Sequence, residues 1–471
     1  MFCKGNIMIK KKLTLAILAA LSTTVLSTTS AFSVEKKDEI EVVEVTGLAS
    51  SLAKALQTKQ YADSIQDSIV AEDMGKMSDQ NIAESLQRIT GVTISRDNGE
   101  GSKLTVRGFG TQFNVVKLND RTLATTGAGR DFDFQILPSE LISGADVIKS
   151  PTAKMSSGSI GGSVNLHSAR PFDNPGFHAV GSAKAKYQDL AGEVDPEFSG
   201  IISNTFANDT IGVLAGFSYK GTTSRLDTYK TSNRNEYRQY NKTDGHQGYG
   251  FPMPKEQVLG EDGLPTTLEG SRGPGRIRMA LSEESHERLG GNLSIQWAPN
   301  NSMVSTFDML YSKLDRQQLG TGIQVALQTN EYSAASVNGA GTLRSATLSN
   351  TGLEFLLTGD LEESTTEAYG YNFVYTGNRL TVSADLSYST ANTSWEGDES
   401  SVMHWTRFNE DGSLHDSSIS LDFSQGDIPA LSYTGQDVND PSTVRTAWQA
   451  YQGLSRRIKT KLLKIPLKKR N

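Results

Sequence analysis

From residue 177 the chain alternates between apolar and polar positions. Phe177, Ala179, Gly181, Ala183, Ala185 and Tyr187 fall on one face, and His178, Val180, Ser182, Lys184 and Lys186 on the other. Ile211, Val213, Ala215, Phe217 and Tyr219 share a face, as do Met303, Ser305, Phe307, Met309 and Tyr311. The cleanest run sets Leu380, Val382, Ala384, Leu386 and Tyr388 against Thr381, Ser383, Asp385, Ser387 and Ser389. A period of two predicts strands with one apolar face. Tight turns rich in Asn, Asp, Pro and Gly join them at 206–210, 297–301 and 375–379. Long polar stretches at about 220–289, at 313–368 and from 390 onward are expected to be loops. Seven fair strands are counted by residue 389, with space for one more.

If the strand at 177–187 runs outward, every short turn falls on one side and every long loop on the other. That asymmetry, with strands of about 10 residues, is the habit of outer-membrane barrels. A soluble sandwich gives no reason for it. Phe206, Trp297 and Tyr375 stand beside the short turns, where an aromatic girdle would lie.

The N-terminal third reads differently. Residues 51–60 and 78–90 are predicted helices, the second capped by Ser78, carrying Ile82, Leu86 and Ile89 on one face and ended by Gly91. Strands are expected at Val92–Ser95, Lys103–Arg107, Val115–Leu118, Ala145–Lys149 and Ser163–Leu166. Together they make a small α+β domain. Before it, Ile40, Val42, Val43, Val45 and Thr46 form a β-branched run that favours extended chain.

Residues 1–33 read as an export signal: Lys10, Lys11 and Lys12, an apolar core from Leu13 to Leu21, then Ala31 and Ser33 at a cleavage site. The core is too short to span a membrane. Without the signal, 42 basic residues face 53 acidic ones, a net −11. Residues 34–455 hold 34 against 53, a net −19, which argues against nucleic acid as a partner. Cys3 precedes the apolar core, and the six His residues show no ligand spacing, so no metal, cofactor or catalytic site is expected. Gly158, Gly161 and Gly162 precede a strand rather than a helix, so a phosphate loop fails its context.

Three segments carry a family resemblance: Val106-Arg107-Gly108-Phe109-Gly110, Leu118-Asn119-Asp120-Arg121-Thr122-Leu123, and the strand–turn–strand from Ala145 through Pro151 to Leu166. They resemble the plug domain of TonB-dependent outer-membrane receptors. Ala83-Glu84-Ser85-Leu86-Gln87-Arg88, Gly99-Glu100-Gly101, Gly127-Ala128-Gly129-Arg130, Leu137-Pro138-Ser139-Glu140-Leu141 and Ser168-Ala169-Arg170-Pro171-Phe172 look most like the proteobacterial branch often linked to carbohydrate uptake. Lys149-Ser150-Pro151 stands where many siderophore receptors have Arg-Gly-Pro.

The resemblance implies an α+β plug followed by an antiparallel transmembrane β-barrel, which has 22 strands in the family and is incomplete here. It implies the outer membrane of a Gram-negative bacterium, surrounding lipid and a TonB-type energy-transducing partner in the inner membrane. The expected organisation is a signal peptide at 1–33, a TonB-box and linker segment at 34–59, a plug at 60–170, a partial barrel at 171–455 and an atypical basic tail at 456–471. That tail is the basis for expecting a truncated or frame-shifted chain, because an open barrel edge leaves backbone groups unpaired in lipid. Coupling to TonB is expected at Glu41, Val42, Val43, Glu44, Val45 and Thr46. Ligand contacts are expected at Asn98, Glu100, Gln112, Phe113, Arg130, Asp131 and Phe132, with Arg107 and Lys149 locking the plug through carboxylates. The function implied is active uptake of an oligosaccharide, not catalysis. A receptor for an iron chelate and a secreted β-rich polysaccharide-active enzyme are the alternatives.

Overall fold

The structure, a computed structural model, describes residues 46–70, 81–127, 129–153, 155, 158–236, 258–266, 272–327, 331–351, 353–395, 398–405, 416–424, 426, 428–435, 437, 445–453, 456–464 and 467–470.

The first part holds helix α1 (Thr46–Gln60), β1 (Gln66–Val70), α2 (Ile82–Leu86), β2 (Val92–Asp97), β3 (Glu100–Val106), β4 (Asn114–Leu118), β5 (Arg121–Thr122), β6 (Ile142–Ile148) and β7 (Gly162–Ser168). The sheet order is β1-β6-β7-β4-β5, with β2 and β3 as a separate hairpin. All five expected strands are present, and β1 and β5 are additions. The second helix is shorter than expected. Asn81 caps it, accepting from the Glu84 amide at 3.1 Å while donating to the Gly101 carbonyl. That bridge ties the helix start to the hairpin at Asn81, so the start expected at Ser78, outside the described residues, is corrected. After Leu86 the chain turns, and Gly91, at φ +76°, enters β2.

The second part is a long antiparallel wall. It comprises β8 (His178–Gln188), β9 (Glu193–Phe206) and β10 (Ile211–Glu236), then, after the short β11 (Val258–Leu259), β12 (Arg272–Asn300) and β13 (Met303–Ala326). After β14 (Glu331–Val337) and β15 (Leu343–Ser349), it continues with β16 (Glu354–Thr376) and β17 (Thr381–Trp395). Next come β18 (Asp398–Trp405), β19 (Ser418–Asp422), β20 (Ala430–Thr434), β21 (Arg445–Gly453), β22 (Arg456–Lys464) and β23 (Leu467–Arg470). The wall runs β8-β9-β10-β12-β13-β16-β17, with β22 and β23 pairing onto β17 and β18 and β21 extending from the far end of β16. Among the described residues it does not close on itself. The backbone of the basic tail therefore joins the wall as strand.

The three short turns are where the pattern puts them, closing Phe206 on Ile211, Asn300 on Met303 and Thr376 on Thr381. The expected long loops are corrected. β10 and β12 stay in continuous register from Ile211↔Trp297 to Ser232↔Arg276, deep into the polar stretches. Away from the apolar band beside the short turns the outward face is no longer uniformly apolar, so the alternation fades while the ladder of hydrogen bonds continues. Part of the remaining polar sequence forms a second sheet, β11-β14-β15-β19-β20, over its own core of Tyr332, Leu348, Ile419 and Leu421 with Ile277 and Val325 of the wall.

Odd-numbered positions of β10, β12 and β13 face away from the first domain. Phe217, Ile295 and Trp297 are exposed there, with Phe206 at the end of β9 and Tyr371 and Tyr375 on β16. This apolar band beside the short turns suits lipid. Even-numbered positions carry the first domain, whose Phe134, Ile136, Leu137 and Leu141 share one core with Leu214, Leu310 and Leu314 of the wall.

Candidate functional site: the plug–wall interface

The wall accommodates the inner domain by omitting side chains. A Cβ on Gly290 would lie 2.5 Å from Pro138, and one on Gly212 would lie 2.8 Å from Phe172. One on Gly216 would lie 3.0 Å from Leu141, and one on Gly370 would run into the Arg121 guanidinium.

Polar contacts climb the interface away from the short turns. Lowest, Arg121 donates Nε to both Asp385 carboxylate oxygens at 3.0 and 3.1 Å, and Nη2 to one of them at 2.9 Å. Its Nη1 reaches Asp308 at 2.9 Å. Asp308 also accepts from Arg170 at 3.4 Å and Ser294 at 3.1 Å, and Asp385 accepts from Asn372 at 3.1 Å. Higher, the Ser218 hydroxyl donates to Glu140 at 3.0 Å, and Arg288 donates to the Leu137 carbonyl at 2.9 Å. Highest, Arg288 holds the Glu100 carboxylate at 2.7 Å, with Lys220 and His286 both at 3.7 Å. At that end Asn98 donates to Glu284, and Arg316 meets Asp97 at 3.4 Å and Gln135.

The expected ligand residues fall into separate groups. Asn98 and Glu100 lie on the β2–β3 hairpin against the wall. Burial opposes ionisation of Glu100, but Arg288, His286 and Lys220 outweigh it and hold its carboxyl well below the usual range. Asp131 pairs with Lys103, which lowers its pKa, and its carbonyl accepts from the Thr125 hydroxyl at 2.6 Å. Phe132 is buried in the shared core, edge-on to Phe134 at 5.2 Å between ring centroids. Gln112 and Phe113 are exposed, Phe113 lying edge-on to Phe109 at 6.4 Å. Arg130 is exposed and donates to the Gly158 carbonyl at 3.2 Å. Next to this group, burial pushes the Asp133 carboxyl up.

Arg107, expected to meet a carboxylate, donates instead to the carbonyls of Gly161 at 2.9 Å and Ile160 at 3.3 Å. The Gly-rich turn presents those acceptors beside its left-handed backbone, at φ +54°. Lys149 does find a carboxylate, Asp67 at 2.5 Å, and also the Thr90 carbonyl at 2.6 Å. Lys59 binds the other Asp67 oxygen at 2.5 Å, and despite burial the two lysines lower the Asp67 pKa. Thr46 opens α1, and Glu41 to Val45 lie outside the described residues.

Of the residues that join the domain to the wall, Asp308, Arg288 and Arg316 carry no signal in the sequence, and Arg121 and Asp385 appear there only as members of a motif and of a polar strand face. A lone acid on a polar strand face, as at Asp385, was the available signal. Among the described residues no group of three or more His, Cys, Asp or Glu is placed to hold a metal, and no helix is long and apolar enough to cross a membrane. A cavity of about 800 Å³ lies on the side of the wall away from the inner domain, lined by Tyr229, Met279, Ile323 and Phe355 among others, and holds none of the expected residues.

An α+β domain seated by glycine gaps and ion pairs on one face of a long antiparallel wall defines a plugged-barrel protein. Residues 57–163 match the family described as the TonB-dependent Receptor Plug Domain, so the chain carries that plug domain, followed by the antiparallel wall of a barrel that is not closed among the described residues. Three solved structures are similar to it. A variant of the ferric enterobactin receptor of Pseudomonas aeruginosa shares 11% identity over 81% of this chain and 60% of its own, with a TM-score of 0.38. The siderophore receptor PirA of Acinetobacter baumannii shares 13% over 79% and 60%, at 0.30. The ferric-catecholate import receptor Fiu of E. coli K12 shares 10% over 86% and 63%, at 0.36. The chain thus spans about 60% of the length of these proteins.

Proposed function

We propose that this chain acts in the outer membrane as a TonB-dependent receptor for active uptake of an oligosaccharide. Residues 1–33 are the export signal, and the segment 34–59 carries the coupling residues Glu41 to Thr46. That β-branched run offers a strand edge to a TonB-type partner, which pairs with it by strand addition. The plug, at 60–170, sits on the wall that follows, at 171–455. Chemically this is transport rather than catalysis.

The observation that carries the reading is the make-up of the plug–wall interface. A permanently fused core would bury apolar contacts throughout. Here, beside the apolar core shared with Leu214, Leu310 and Leu314, Arg121, Glu100, Asn98 and Asp97 reach the wall through charged and polar groups, which water and ligand hydroxyls can replace. The Asp97–Gly101 turn lies farthest from the short turns, on the ligand side. Asn98, Glu100, Gln112, Phe113, Arg130, Asp131 and Phe132 remain its ligand candidates, with Gln112, Phe113 and Arg130 already exposed. Amide, carboxylate and guanidinium groups suit sugar hydroxyls, and aromatic rings suit apolar sugar faces. Arg107 and Lys149 fasten parts of the plug to one another, and so hold its shape until force is applied.

The test is titration of the folded full chain with glycans and with ferric siderophores. Binding of glycans alone supports the reading. Tight binding of a ferric siderophore with no response to any glycan overturns it.

A further inference from the structure

On the plug-bearing face, beyond the row that touches the plug, three cations gather. Lys230 of β10 and Arg278 of β12 are direct register partners, and Arg276 lies two residues along on the same face. All three are exposed. Side chains directly opposite in an antiparallel pair stand about 4.5–5.5 Å apart at Cβ, and like charges there are destabilising. Among the described residues no carboxylate pairs with any of the three. Arg278 directs Nε and Nη2 to the Gln324 side-chain oxygen at 3.2 and 3.0 Å, and Gln324 donates to the buried Glu354 at 2.5 Å. The amide thus orients the guanidinium and leaves its other donors unused. In a body with 53 acids against 34 bases, an unpaired trio facing the plug side has no evident stabilising role.

We infer that Lys230, Arg276 and Arg278 form an anion site for the carboxylates of a uronic-acid-bearing oligosaccharide, an assignment that rests on the proposed uptake function. Glu354, on the same face, is buried and already accepts from Gln324. Asp360, exposed and without a partner among the described residues, lies level with Glu284 and accepts hydrogen bonds from hydroxyls at the far end of a ligand that spans that distance. Six residues separate Arg278 from Glu284, the wall partner of Asn98, or about 20 Å of strand. An oligomer of that span would touch the cations and the plug turn together.

The experiment is calorimetric titration of the full chain, folded in detergent, with an oligogalacturonate, with neutral maltohexaose and with ferric enterobactin. The wild type should prefer the oligogalacturonate, with affinity falling as salt rises. Arg276→Gln with Arg278→Gln should weaken that binding by roughly tenfold or more and leave maltohexaose unchanged. These residues touch no plug group, so unchanged protease resistance of the plug verifies folding. Lys230→Gln is an independent second variant, expected to act in the same direction. Equal affinity for charged and neutral glycans, or variants without effect, would remove the anion site and leave the oligosaccharide reading standing. Binding of ferric enterobactin alone, or of none of the three probes, would remove both.

Discussion

Arg121 of the plug and Asp385 of the wall, 264 positions apart in the chain, meet in a forked ion pair, with donor–acceptor distances of 2.9–3.1 Å. Asp308 completes the enclosure at 2.9 Å, and Gly370 provides the space for the guanidinium. A planar guanidinium matches a carboxylate in two bonds at once, which fixes orientation as well as distance.

Removing this arginine should loosen the plug from the wall. The buried Asp308 and the half-buried Asp385 would then lose their main cation, and breaking a buried pair typically costs about 3–5 kcal/mol, an upper bound for this partly exposed one. Arg121→Ala should raise hydrogen exchange in β4 and β7 and make the plug protease-sensitive. Arg121→Lys should recover only part, because an ammonium cannot make the fork. Unchanged protection in Arg121→Ala would disprove the latch.

Acid should loosen the upper end of the plug. Glu100 has its carboxyl lowered from an ordinary 4.5, and Asp131 and Asp67 are lowered from 3.8. A carboxylate lowered by folding contributes stability above its unfolded value and loses it as pH falls through the folded value. Asp133 is raised, so its charged form disfavours folding and acid relieves it, but it is one group against three. Protection of the β2–β3 hairpin should therefore hold at neutral pH and decline below about pH 4.5. Glu100→Gln should lower protection at neutral pH and flatten the profile. A hairpin equally protected at pH 3 and pH 7 would count against the argument.

Adjacent glycines should behave oppositely. Gly290 faces Pro138 at 2.5 Å from its virtual Cβ, whereas Gly291 meets only the Gly216 carbonyl at 3.7 Å. Gly290→Val should cost about 1–3 kcal/mol through overpacking, with the plug displaced. Gly291→Ala should be close to neutral. Thermal unfolding of the two variants side by side decides this, and equal losses would refute it.

On the proposed uptake function, energy coupling should depend on backbone pairing near Val43. Val43→Pro removes a donor and blocks strand addition. Cells carrying it should lose uptake while the receptor still binds ligand. Normal uptake by this variant would place the coupling elsewhere.

Alternation and turn chemistry made the lower wall legible, because an exposed apolar face on one side and the plug on the other impose a strict period of two. The run at 380–389 lies in β17, Thr381–Trp395, from its second residue on for that reason. Away from that apolar band the constraint lapses, so Glu283, Ser285 and Glu287 read as loop although they are strand. The plug strands were legible from β-branched runs and glycine turns. The α2 cap was not, because Asn81 is chosen by a carbonyl twenty residues on, at Gly101. The interface ion pairs escaped for the same cause. Glu100 reads as a ligand group because the family resemblance turns the Asp97–Gly101 segment outward, and only the fold brings Arg288 to it.

The glycines at 212, 216, 290 and 370 form a cast of the plug written in the wall. Size has to change on both sides together. A plug residue enlarged at Pro138 or Arg121 has no matching gap, and a wall glycine filled in leaves the plug no seat. Plugs exchanged between proteins of this build would then fail by collision before any ligand chemistry is consulted, and the wall's missing side chains would serve as an identity check on its own plug.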